Sequence, residues 1–263
     1  MQISHEVPLC LLQESEKFND YDYCLLHLVY EFPEYKEYYR NASKKGRKVL
    51  LDNSLFELGD SLTLSEVAAG VEALNPTWVV VPDCLNDAEE TMRRFEAWMQ
   101  TYFYLDVETI GVAQGSTVEE LEECYRYMSK YADKIAIPFG STACKILGVE
   151  AGCTGDLECR SRGRQLFIDR IVESGLWNTE KPHHLLGCNL ASEFSYPKYK
   201  ELNIESLDTS NPIVAALEGL RYSPTGLDIK PSTKLCDLIT HVVTDEERDL
   251  MDYNIQVFKN LTI

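Results

Sequence analysis

Three times in succession the chain repeats one pattern: an apolar run, a polar residue at its end, a capped start, and an amphipathic helix. Val49-Leu50-Leu51 ends in Asp52, Thr77-Trp78-Val79-Val80-Val81-Pro82 ends in Asp83, and Thr109-Ile110-Gly111-Val112-Ala113 ends in Gln114. The polar ends are 31 residues apart (83 − 52 and 114 − 83), close to the ~30 residues that one strand–helix–strand step requires. Short continuous apolar runs of this kind read as strands of a parallel sheet buried on both faces. In such architectures the reactive groups stand at the C-terminal ends of the strands.

The connections support the same periodicity. Thr63-Leu64-Ser65-Glu66 is a capping box, followed by Leu64, Val67, Ala68, Val71 and Leu74 at helical spacing. Asn86 with Glu89 is a candidate cap for a helix carrying Met92, Phe95 and Met99, and Thr117-Val118-Glu119-Glu120 precedes Leu121, Cys124, Tyr125 and Met128. Further strands are expected at Cys24–Val29, Lys134–Ile137, His184–Cys188 and Ile204–Leu207. The best candidate for the eighth is Gly226-Leu227-Asp228-Ile229, and the first twenty residues have no clear place. A helix from about Thr244 to Phe258 closes the chain.

At 263 residues, with no linker or shift in composition, these units predict one α/β domain: a (β/α)8 TIM-like barrel spanning residues 1–263, with an open doubly wound sheet as the competing arrangement. The connection from Gly140 to Pro182 is an extended loop and helix inserted between the fifth and sixth predicted strands. It contains Gly152-Cys153-Thr154-Gly155, the cluster Arg160, Arg162, Arg164, and an apolar helical stripe of Phe167, Ile168, Ile171 and Val172.

Acidic residues outnumber basic ones 43 to 25, a net charge of −18, so long-range attraction opposes a polyanion and any nucleic-acid contact must be local. Nine scattered cysteines, no secretory signal at the start and no apolar run of membrane-spanning length predict free thiols and a cytoplasmic protein without a membrane partner. An Asp or Asn at a strand end ordinarily caps a helix or forms an Asx turn, so each polar tip alone is weak evidence of chemistry.

Together the tips resemble the tRNA-guanine transglycosylase family. Asp52-Asn53-Ser54-Leu55-Phe56-Glu57 is similar to that family's Asp-Ser-Gly-Gly-Phe/Tyr-Gln segment, without the glycine pair and the Gln. Pro82-Asp83-Cys84 echoes Phe-Asp-Glu-Cys, and Gly111-Val112-Ala113-Gln114-Gly115-Ser116 resembles Gly-Ile-Val-Gln-Gly-Gly. Leu185-Leu186-Gly187-Cys188-Asn189 resembles Leu-Met-Gly-Val-Gly, and Asn203 to Pro212 resembles Gly-Ile-Asp-Met-Phe-Asp-Cys-Val-Leu-Pro. The order is kept from residue 49 to 212, while the family's Cys-x-Cys-x-x-Cys zinc motif with a later His is missing: after Asp208 only Cys236 and His241 remain, two where a closed structural site needs four, so no metal and no cofactor is expected. The shortened chain looks most like compact phage-type relatives that place 7-deazaguanines such as preQ0 in DNA, which implies a host-cytoplasmic enzyme.

The resemblance implies Asp208 as nucleophile and Asp52 as general acid/base in an exchange of guanine for a 7-deazaguanine. It further implies Asp83 and Gln114 reading the base edge, Phe56 stacking on the ring, and Phe139, Gly140, Leu186 and Gly187 completing the pocket. DNA is expected as the nucleic-acid partner ahead of tRNA. Arg160, Arg162 and Arg164 are the expected phosphate contacts, because their loop leaves a strand end. Lys44, Lys45, Arg47 and Lys48 precede a strand and should lie behind the barrel, as should His183 and His184, which are given no catalytic role. The competing readings are an RNA-acting transglycosylase, a barrel lyase or aldolase holding a divalent cation on Asp52 and Asp83, and a non-catalytic accessory subunit.

Overall fold

The computed structural model describes residues 1–139, 141–148, 156–188, 190–227 and 233–262. Eight strands form one all-parallel sheet: β1 (Gln2–His5), β2 (Asp22–Leu25), β3 (Val49–Asp52), β4 (Trp78–Val80), β5 (Glu108–Val112), β6 (Lys134–Pro138), β7 (His183–Leu186) and β8 (Ile204–Thr209). Their order, β1-β8-β7-β6-β5-β4-β3-β2, brings the first two strands to the two edges. Those edges meet where the Asp20 amide donates to the Ile3 carbonyl at 2.9 Å and the Tyr23 amide donates to Ser4 Oγ at 3.0 Å. The result is a nearly closed (β/α)8 barrel and not an open doubly wound sheet.

The eighth strand is therefore β1. Gln2–His5 pairs with Ser206–Thr209, four residues that carry little periodicity of their own and gain their place from the partner strand. Gly226 and Leu227 form no strand, Gly226 making only an isolated antiparallel bridge with Ser223; Asp228 and Ile229 lie outside the described residues. The second correction concerns Cys24–Val29: β2 stops at Leu25, and the chain turns into a helix at Leu26. Both faces of that apolar stretch are buried, so periodicity alone could not separate strand from helix.

The helices in chain order are α1 (Leu12–Ser15), α2 (Leu26–Glu31), α3 (Pro33–Lys44), α4 (Leu55–Leu58), α5 (Leu64–Leu74), α6 (Ala88–Thr101), α7 (Val118–Tyr131), α8 (Ser141–Ile146), α9 (Asp156–Glu173), α10 (Asn211–Leu217) and α11 (Asp245–Thr262). Thr63 closes the expected capping box with Glu66, and Thr117 Oγ1 accepts from the Glu120 amide at 3.2 Å. Helix α6 differs from its sequence reading: Asp87 is the cap, accepting from the Glu90 amide at 2.9 Å, and Thr91, Phe95 and Trp98 face inward while Met99 is exposed. A face with Trp98 at its centre buries more apolar surface than one ending in Met99.

The insertion, expected between the fifth and sixth strands, lies between β6 and β7 once β1 is counted. It consists of α8 and α9, joined by a Cys144–Cys159 disulfide with a Cα–Cα distance of 5.6 Å, inside the span a disulfide can bridge. This corrects the expectation that all thiols are free. Spacing alone does not reveal which cysteines pair. Cys10, Cys24, Cys84, Cys124, Cys188 and Cys236 are free thiols.

The rear of the barrel is closed by charge and aromatic packing. Lys134 Nζ lies 3.9 Å from the centre of the Trp78 ring and 3.2 Å from Glu205 Oε2. The Lys44–Lys48 loop is at this end, as its position before β3 predicts. Arg47 forms a bidentate pair with Asp22 at 2.7 and 2.8 Å, so one of its charges is committed to holding β2.

Candidate active site

At the opposite end, the strand tips surround a cavity of about 150 Å³. Asp52 from β3, Asp83 after β4, Gln114 after β5, Phe139 after β6, Leu186 and Gly187 from β7, and Asp208 from β8 all line it, with Phe56 at α4. Eight of the nine residues expected to exchange or bind the base are thus brought together. The ninth, Gly140, lies outside the described residues.

Asp83 is the best-anchored of the carboxylates. Its Oδ1 accepts from Asn53 Nδ2 at 2.8 Å and its Oδ2 from Gln114 Nε2 at 2.7 Å, while Gln114 Oε1 accepts from the Asn86 amide at 3.2 Å. This fixes the orientation of the Gln114 amide, since its oxygen and one N–H are both engaged. Burial pushes the Asp83 carboxyl up from its ordinary value, and the two amide donors oppose the shift.

Asp52 is in a different state. It is buried, and burial raises its pKa well above the usual carboxylate range, with the nearby Glu57 carboxylate pushing the same way and Asp208 adding to it; the Ser54 amide, at 2.7 Å from Oδ1, works against the shift. Ser54 itself adopts a left-handed backbone with φ of 63°, held by its Oγ, which accepts from the His27 amide at 3.1 Å and lies 2.9 Å from the His27 ring. An environment of this kind favours the neutral form of the Asp52 carboxyl.

Asp208 Oδ1 accepts from the Gly187 amide at 2.9 Å and faces His184 Nε2 at 3.0 Å. Gly187 has φ of +68°, a conformation glycine adopts without strain, and it is this turn at the end of β7 that points its N–H at Asp208. His184 does not lie behind the barrel. A register shift between His183 and His184 sets His184 beside Ser206, leaving Glu205 as the extra residue on β8. His184 thus faces the interior under Asp208, with Tyr23 stacked at 6.5 Å. His183 is the one that points away, into a stack with Trp177 at 3.8 Å.

The arginine cluster divides. Arg162 is exposed and Arg160 half-buried on α9, whereas Arg164 is 1% exposed. Its guanidinium pairs with Glu193 and donates to the carbonyls of Ile137, Leu186 and Gly187 at 3.3, 3.2 and 3.0 Å. Arg164 is consequently no phosphate contact but a bracket joining the tips of β6 and β7. The run reads as one patch in sequence; helical geometry turns Arg162 away from Arg164.

Residues that the sequence reading did not assign also reach the cavity, among them Glu6 at the end of β1, Tyr23, Lys234 and Cys236. Lys234 is exposed, with Nζ 5.4 Å from the centre of the Phe56 ring, and Phe56 is itself 57% exposed. A cation and an open aromatic face therefore stand together at the mouth. No sequence signal marks Lys234, because it arrives from a segment remote from the repeated units.

Among the described residues no group of three or more His, Cys, Asp or Glu side chains converges as a set of metal ligands, and His241 is paired with Glu247 at 3.0 Å. No helix among them is long and apolar enough to cross a membrane. Neither protein-family models nor curated proteins give a match to this chain.

Proposed function

We propose that this protein is a base-exchange glycosyltransferase that replaces guanine in a nucleic acid, DNA in the first instance, with a 7-deazaguanine. The observation that carries the reading is the different setting of three carboxylates in one cavity: Asp83 locked by two amide donors, Asp52 with its pKa raised by burial and Glu57, and Asp208 tethered through a single oxygen.

Asp83 can accept the N–H donors of a guanine-like edge, since each carboxylate oxygen has a second lone pair. The second N–H of Gln114, which lines the cavity, supplies a donor for the ring carbonyl. A base entering between Phe139 and Leu186 has the open face of Phe56 beside it for stacking.

The reaction then needs only protein groups. A lone pair of Asp208 forms the bond to the sugar's anomeric carbon as the glycosidic C–N bond breaks. The electron pair of that bond leaves with guanine, which takes the proton from Asp52. The ionised Asp52 next removes the ring N–H proton of the incoming deazaguanine, whose nitrogen attacks the same carbon. The carbon–oxygen bond breaks and its pair returns to Asp208. Two displacements restore the original configuration at the sugar.

A divalent-cation lyase using Asp52 and Asp83 is less well supported, because both oxygens of Asp83 already accept from amide N–H donors. Incubating the protein with radiolabelled guanine and, in separate arms, duplex DNA or tRNA tests the proposal. Label in the DNA arm is expected, label only in the tRNA arm would reassign the substrate, and label in neither would overturn base exchange.

A further inference from the structure

Every hydrogen bond to the Asp208 carboxylate among the described residues ends on Oδ1, from the Gly187 amide at 2.9 Å and from His184 Nε2 at 3.0 Å. The opposite nitrogen of the same ring, Nδ1, lies 2.9 Å from Ser206 Oγ. His184 and Asp208 are both buried, and Asp208 nonetheless lines the cavity.

These contacts fix the tautomer. With Oδ1 already the acceptor of the Gly187 amide, Nε2 is assigned the proton, and a neutral ring then presents Nδ1 as an acceptor to a hydroxyl that can donate. The reverse tautomer would set the Nε2 lone pair against the carboxylate. Burial holds the ring pKa below its ordinary value even though Asp208 pulls it upward, with Lys134 and Arg164 opposing protonation from further away. Tyr21 and Tyr23, the other polar side chains packed on the ring, are buried with their pKa values raised and stay neutral.

We propose that Ser206, His184 and the Gly187 amide form a positioning relay that immobilises Asp208 by Oδ1 and so selects Oδ2 as the oxygen that attacks the sugar. This rests on the base-exchange reading for what Asp208 attacks, but not for how it is held. His184 is a positioning residue: it keeps its proton throughout and touches no reacting atom. Two donors on Oδ1 pin the rotation of the carboxylate and leave the lone pairs of Oδ2 directed at the cavity, which removes a conformational search from the attacking step. The bulge at Glu205 is the structural device, since without it His184 would not stand beside Ser206.

The test uses three variants, His184→Leu, His184→Gln and Ser206→Ala, each checked for native circular dichroism, in single-turnover formation of the covalent adduct with guanine-containing DNA, alongside ¹⁵N NMR of the histidine rings. Loss of the tether should slow adduct formation about 10²-fold in His184→Leu, whereas His184→Gln, whose amide N–H can reach Oδ1, should stay within about tenfold of wild type. Guanine affinity should be unchanged in all three, because Asp83 and Gln114 are untouched. Equal adduct rates in His184→Leu and wild type would overturn the relay. The NMR arm needs no activity. The wild-type His184 ring is expected as the neutral Nε2–H tautomer at neutral pH, with the tautomer preference weakened in Ser206→Ala; an Nδ1–H ring in the wild type would overturn the proposal. A wild type that forms no adduct at all would instead count against base exchange, leaving the NMR result to decide the relay.

Discussion

Arg164 and Glu193 meet as a fork-to-fork pair, with Nε to Oε1 and Nη2 to Oε2 both at 2.7 Å, and neither side chain reaches solvent. Tyr199 adds a hydrogen bond to Glu193 at 2.8 Å. The remaining guanidinium N–H groups hold the carbonyls of Leu186 and Gly187, the latter being the residue whose amide tethers Asp208. A charge pair buried for structure thereby supports the wall of the candidate site.

Breaking that pair from one side leaves a buried, uncompensated carboxylate. Arg164→Ala should therefore cost about 3–5 kcal/mol of stability, whereas exposed Arg162→Ala should stay within about 0.5 kcal/mol of wild type. Urea unfolding of both variants measures this, and equal stabilities would show that Arg164 is not the bracket described.

On the base-exchange proposal, Asn53 acts on the base through Asp83, to which it donates at 2.8 Å. Asn53→Ala removes one of two amide donors to a buried carboxylate, a hydrogen bond to a charged group worth about 1.5–3 kcal/mol. Guanine binding should weaken by about tenfold or more, readable by calorimetry. Unchanged affinity would mean that Asp83 does not contact the base.

On the same proposal, Asp52→Ala leaves the nucleophile and the base-binding pair in place but removes the proton donor. Turnover should fall by about 10²–10⁴ while the fold persists, as monitored by incorporation of labelled guanine. Activity within a few-fold of wild type would reduce Asp52 to a turn residue holding the Ser54 amide.

His5 gives the fold a defined acid sensitivity. Burial lowers its pKa from 6.5 to about 4, against the opposing hydrogen bond to Asn19. The folded state keeps the ring neutral where the unfolded chain binds a proton, so stability falls as pH drops from 6.5 towards 4. Buried Asp52 and Asp83, with raised pKa values, act in the opposite direction, so the contribution is isolated by difference. His5→Gln should flatten the dependence of unfolding free energy on pH in that window by about 1.4 kcal/mol per pH unit. An unchanged slope in urea titrations would show that the ring is protonated in the folded state.

The barrel was legible because its signal is local and repeated: Asp52, Asp83 and Gln114 each follow an apolar run and precede a capped helix, and the periodicity places them on one rim. β1 was not, because Gln2–His5 is specified by its pairing with Ser206–Thr209 and by closure of the sheet. The role of His184 was hidden because β7 begins at His183, so the two histidines lie within the strand, where adjacent side chains alternate and His184 is the one facing the interior. Arg164 misled because a charged triplet reads as surface until a partner 29 residues later, Glu193, is brought to it by folding. Phe56, Phe139, Leu186 and Gly187 were placed at the cavity through the family resemblance, and their positions on α4, β6 and β7 do bring them there.

The central claim is that Asp208 forms a covalent bond to the sugar of a nucleic acid. Mixing the protein with guanine-containing duplex DNA in the absence of an incoming base, denaturing, and analysing the product by gel shift and peptide mass spectrometry tests it most directly. A DNA-linked species carrying the modification at Asp208, absent in Asp208→Asn because an amide is a far poorer nucleophile, is the predicted result. A linked species that persists in Asp208→Asn, or one mapped to another residue, would contradict the account.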